Sequence, residues 1–168
     1  MIGRTLNQIG TVIRCWNLET FTELYSLKTP MTPRVFDLDA EARRMVYGLG
    51  DGSVEVWHLS ESDEHYRQVI YLPNRCFVGH RKHHNYAIRH VALAGKGRYL
   101  CTSSNDSLKV EDLSQGKVIC EIFLSRMPTK LCICADGSRV ACLSGSTIDI
   151  WDVATGEKVR SKDFRSPR

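Results

Sequence analysis

Four stretches of this 168-residue chain share one pattern. TVIRCWNLET (11–20), SVEVWHLSES (53–62), SLKVEDLSQG (107–116) and STIDIWDVAT (146–155) each lead alternating apolar and polar residues into an anchor, then into a polar turn. The anchors Trp16, Trp57, Glu111 and Trp151 stand 41, 54 and 40 residues apart. A unit recurring near forty residues is one supersecondary module that buries its faces against copies of itself, so the repeat limits the fold before any single element does.

Alternation over four to six residues belongs to a strand with two differently solvated faces. In the last unit two further alternating runs, TKLCICA (129–135) and RVACLSG (139–145), flank Asp136-Gly137, a strong hairpin turn signal. Each anchor is followed by another apolar-rich run: FTELYSL, HYRQVIYL, KVICEIFL and EKVRSKDF. Each unit therefore reads as four short strands. No segment carries a helical period, and the fold class is all-β.

These motifs resemble the WD-repeat β-propeller family, whose repeat of about forty residues supplies a blade of four antiparallel strands with Trp-Asp closing the third. The last unit matches best, with Asp136-Gly137, Trp151-Asp152 and Thr155-Gly156. The unit ending at Trp57 keeps Asp51-Gly52 ahead of it and places His58 where Asp is usual. In the third unit Gly79-His80 stands at the wrong distance from the following strand. His84 fits the register better and brings Ser104 and Asp106 to the positions of the family's structural hydrogen-bond network. Glu111 replaces the Trp that would complete that network, and a missing member should loosen it. The resemblance implies structural roles for Trp16, Asp51, Trp57, His84, Ser104, Asp106, Trp151 and Asp152. The tryptophans are expected to pack between strands rather than to bind ligand.

Counted this way, the chain divides into a partial blade (1–32), three blades (33–78, 79–125 and 126–163) and a tail (164–168). The partial blade has two strands around 11–28, and GRTL (3–6) reads as the remnant of another. Propellers of the family close with more units than this, typically four to eight. The count favours an incomplete ring, a portion of a longer propeller whose remaining blades lie outside this chain. A strained four-bladed ring, or one completed by strands from another chain, fits it less well.

Composition narrows function mainly by exclusion. With 42% hydrophobic and 25% charged residues the chain is typical of globular proteins, and no apolar run is long enough to span a bilayer. Its N-terminus, MIGRTLNQIG, lacks the apolar stretch of a signal peptide. Seven cysteines, an odd number set within apolar runs, fit a reducing intracellular compartment, with the cytoplasm ahead of the nucleus. The net charge of +4 permits acidic partners without requiring them.

The most distinctive stretch is the long basic segment between the second and third units. There Arg75, Arg81, Lys82 and Arg89 are the expected contacts for a protein partner, because loops on rigid scaffolds carry recognition. Nucleic acid binding through residues 75–90 is the alternative, and a plain solvated loop outweighs both. His80, His83, His84 and His90 lack an accompanying Cys-x-x-Cys pair, and no metal or other cofactor is expected. GLGDG (48–52) lies between strands, so its glycines make a turn rather than a phosphate cradle. No Gly-x-Ser-x-Gly, His-Glu-x-x-His or P-loop occurs, and the expected function is a non-catalytic protein-interaction scaffold.

Overall fold

The computed structural model describes residues 2–6, 11–29, 32–39, 44–58, 66–68 and 86–165. The chain forms two compact units, Met1–Pro33 and Arg34–Arg168. Every regular element among the described residues is a β-strand, and every strand pair is antiparallel.

In the N-terminal unit, β1 (Ile2–Leu6), β2 (Thr11–Trp16) and β3 (Glu23–Thr29) form a three-stranded sheet in that order. The GRTL segment forms a strand of this sheet. It pairs along the length of β2, from Ile2 opposite Cys15 to Leu6 opposite Thr11. Sequence reading missed this because four residues without a turn signal carry too little periodicity to assign a partner. Across β2 and β3, the Arg14 guanidinium meets the Glu23 carboxylate at 2.8 Å.

The second unit contains three four-stranded sheets, each a meander in chain order. The first sheet comprises β4 (Val35–Leu38), β5 (Arg44–Gly48), β6 (Val54–His58) and β7 (Tyr66–Gln68). The second comprises β8 (His90–Ala94), β9 (Tyr99–Ser103), β10 (Ser107–Asp112) and β11 (Lys117–Phe123). The third comprises β12 (Lys130–Ile133), β13 (Arg139–Ser144), β14 (Thr147–Asp152) and β15 (Lys158–Asp163). The leading strands are spatial neighbours, β4 beside β8 and β8 beside β12. The sheets stack face to face and do not join edge to edge into a barrel.

Stacking explains why strands that alternate in sequence are buried on both faces. Val46, Val54 and Val56 of the first sheet pack with Ile88 and Leu100 beside the second. Cys101, Leu108, Val110, Cys120 and Ile122 of the second pack with Val140, Cys142, Trp151 and Val153 of the third. Each such aliphatic side chain contributes about 1.5–3 kcal/mol by leaving water. Strand β10 lies inside the stack and is buried throughout.

Polar links fix the stacking register. Asp37 Oδ2 accepts from the Leu93 amide of β8 at 2.7 Å, and the Arg44 Nη1 donates to the Gly97 carbonyl at 2.6 Å. Between the second and third sheets the Gly95 amide donates to the Ala135 carbonyl at 2.8 Å. Gly137, at φ +76°, lies flat against Tyr99, and a Cβ there would come within 2.3 Å of the ring. Only glycine suits both that backbone conformation and that contact.

Candidate functional site

Strand register places the sequence anchors at one position of the repeat. Trp57 faces Met45, Glu111 faces Leu100 and Trp151 faces Val140, in each case one residue inside the end of the pair. A β-bulge falls at the anchor in three sheets, between Cys15 and Trp16, Val110 and Glu111, and Ile150 and Trp151. In each the extra residue lies in the outer strand opposite the anchor, at position 24, 119 or 159, and such an insertion raises the local twist of the pair.

The next residue caps the turn. Asn17 Oδ1 accepts from the Glu19 and Thr20 amides at 2.8 and 3.1 Å. Asp152 Oδ1 accepts from the Ala154 and Thr155 amides at 3.0 and 3.1 Å. Asp112 Oδ1 accepts from the Ser114 amide at 2.9 Å, while its Oδ2 takes the Arg98 Nε and Nη2 at 3.0 and 2.7 Å. Hydrogen bonding from Arg98 and then from Ser114 holds the Asp112 carboxyl far below the usual carboxylate range. These are Asx turns, in which a short acceptor side chain replaces a backbone carbonyl.

The anchor side chains differ. Trp57 is 6% exposed, and its Nε1 donates at 3.3 Å to Glu55 Oε2, an oxygen that also receives the Tyr47 hydroxyl. Trp151 is 5% exposed and sits in the core between the second and third sheets. Trp16 is 38% exposed in its own unit, more open than the packing role expected of it. Glu111 is 3% exposed, its Oε2 has no hydrogen-bond partner among the described residues, and burial pushes its carboxyl upward.

Of the expected network, Ser104 Oγ donates to Asp106 Oδ1 at 2.8 Å and lies 3.0 Å from Ser107 Oγ. Asp51 caps its own turn by accepting from Ser53 Oγ and the Ser53 amide at 2.6 and 2.9 Å, which lowers its carboxyl. His84, Arg75, Arg81 and Lys82 lie outside the described residues. Arg89 is half-buried and donates from Nε to Asn105 Oδ1 at 2.8 Å, so part of its guanidinium is engaged by the turn between β9 and β10.

Between β11 and the outer strands of the third sheet runs a groove of about 480 Å³. Phe123 and Leu124 form one wall, while Trp151, Asp149 and Lys158 come from β14 and β15. Lys158 Nζ lies 3.0 Å from Asp149 Oδ2 and 5.3 Å from the centre of the Trp151 ring. Burial pushes the Asp149 carboxyl up, but Ser161 and Lys158 outweigh it and hold it below its ordinary value. Arg126 and Arg165 stand at the groove as well. Nothing local in the sequence signals that residues 123–126 fold beside β14 and β15.

His90 Nδ1 lies 2.9 Å from Ser103 Oγ and Nε2 lies 3.1 Å from the Thr129 carbonyl, but Ser103 is fully buried and cannot meet a substrate. Burial raises the thiols of Cys101, Cys120 and Cys142, which leaves them poor nucleophiles. Among the described residues no three His, Cys, Asp or Glu side chains converge as a metal site, and no helix is long and apolar enough to cross a membrane.

No protein-family model and no curated protein matches the chain. Its fold does recur among solved structures, with 1058 matching chains. One is the computationally designed Ika8 protein, similar at a TM-score of 0.65 and 17% identity over 96% of this chain. The match spans 49% of the designed chain, so this chain corresponds to about half of that fold.

Proposed function

We propose that the chain is part of a WD-repeat propeller and works as a non-catalytic protein-interaction scaffold. The recurrence of one backbone device, a bulge at the anchor followed by an Asx turn, carries this reading. A module repeated in stacked sheets leaves the connecting loops free to vary, and recognition on such scaffolds resides in loops and rims. Correspondence with half of a larger solved fold supports the incomplete count.

The partner contacts in this reading are Arg75, Arg81, Lys82 and Arg89. Replacing all four with Glu is expected to weaken capture of protein partners by roughly tenfold or more, since charge reversal acts on encounter and pairing together. The melting temperature is measured beside it, because Arg89 also bonds Asn105 and its reversal is expected to lower stability slightly. Unchanged capture removes the loop as the contact site. If binding instead goes to unrelated nucleic acid sequences and falls steeply with salt, phosphate recognition replaces protein recognition.

A further inference from the structure

We propose that the groove between β11 and β14–β15 is a second docking site, which takes an extended acidic segment of a partner protein around one apolar side chain. This rests on the scaffold reading but uses residues other than Arg75, Arg81, Lys82 and Arg89.

The groove carries the complementary charge. Arg126, Lys158 and Arg165 line the groove with Asp149, and Asp163 pairs with Arg165 beside it, which leaves positive charge in excess. Among the described residues Arg126 makes no ion pair or hydrogen bond, leaving its planar fork of donors free for a carboxylate. Lys158 is held by Asp149 over the Trp151 face, an arrangement that fixes one ammonium direction at the groove and leaves its other donors open. Arg165 is braced by Asp163 at 2.6 Å.

The spacing and the walls select a peptide. The cations come from three places, the loop after β11, strand β15 and the segment following it, so they do not converge on one small anion. An extended chain reaches them in succession. Phe123 is 61% exposed beside Leu124, an apolar wall that a partner side chain would cover. Ser144 and Thr147 add hydroxyls suited to peptide groups. The volume, about 480 Å³, falls within the range of ligand clefts.

The test is selection of a random dodecapeptide phage library on the full chain, followed by fluorescence anisotropy with the enriched peptides. Enriched sequences should carry Asp or Glu on both sides of one apolar residue. Their affinity should drop roughly tenfold or more in Arg126→Glu/Arg165→Glu, as expected for close charge pairs, and also in Phe123→Ser. Charge reversal at Arg75, Arg81, Lys82 and Arg89 should leave it unchanged. The proposal is overturned by an absence of enrichment, by peptides lacking acidic residues, or by peptides that bind the groove variants equally well. A twelve-nucleotide single strand competing as well as the peptide also overturns it, as general polyanion attraction. If the groove fails while the loop variant still loses its partner, the scaffold reading survives alone.

Discussion

The second and third sheets make the same turn with different anchors. Each has a bulge one residue before an aspartate, and each aspartate accepts the amides of the turn that follows. In the third sheet the anchor Trp151 packs in the core. In the second the anchor is Glu111, equally buried, and among the described residues its Oε2 has no hydrogen-bond partner. The repeat is thus held by backbone geometry and turn chemistry, and the anchor decides how firmly neighbouring sheets lock. Trp151→Ala should cost about 3–5 kcal/mol in urea unfolding, the range for a buried aromatic leaving a cavity. Glu111→Ala should be close to neutral, because the packing lost is offset by removal of a buried carboxyl. Equal losses at the two positions would break the comparison.

The opposite substitution sharpens it. Glu111→Met keeps the volume and removes a desolvated charge, so it should stabilise by about 1–3 kcal/mol. The pH dependence identifies the cause. A carboxyl raised by burial binds its proton more tightly in the folded state. Its stabilising contribution is complete below the unfolded value, near 4.5, and is lost as pH rises through the folded value. Glu111→Gln should therefore gain on the wild type as pH climbs above about 4.5. A stability difference constant across that window would show that Glu111 is not the titrating group.

How much of this could be read in the sequence follows from how local each signal is. Alternation and turn dipeptides identified the strands and the all-β class, because a strand face and a tight turn each span only a few residues. The equivalence of Trp57, Glu111 and Trp151 was legible from spacing even though Glu111 breaks the motif. The partner of β1 was not legible, since pairing depends on a strand across a turn that announces itself weakly. The burial of Glu111 was also hidden, because alternation marks a residue as facing one side without saying what covers that side. The groove joins Arg126 to Lys158 and Arg165 across two sheets, and only stacking brings them together. Of the loop residues expected to bind, Arg89 alone is described, and its bond to Asn105 reaches the turn between β9 and β10, a contact that composition cannot reveal.

The smallest effect separates charge from geometry at the turn. Asp152→Ala removes the acceptor for the Ala154 and Thr155 amides and should cost about 1 kcal/mol, the usual worth of such bonds at a solvated site. Asp152→Asn should cost less than about 0.5 kcal/mol, because an amide oxygen keeps the acceptor. The N-terminal unit already shows this solution, where Asn17 takes the corresponding pair of amides at 2.8 and 3.1 Å. Asp112 is the instructive exception. Its second oxygen holds Arg98, so an amide there would keep the turn and lose the ion pair. Asp112→Asn should flatten the acid limb of the stability curve, since a carboxyl lowered in the fold contributes above its ordinary value of 3.8 and loses that contribution as pH falls. Urea titrations of the two Asn variants at neutral and acid pH distinguish them. If Asp152→Asn costs as much as Asp152→Ala, the turn depends on charge rather than on the position of one oxygen.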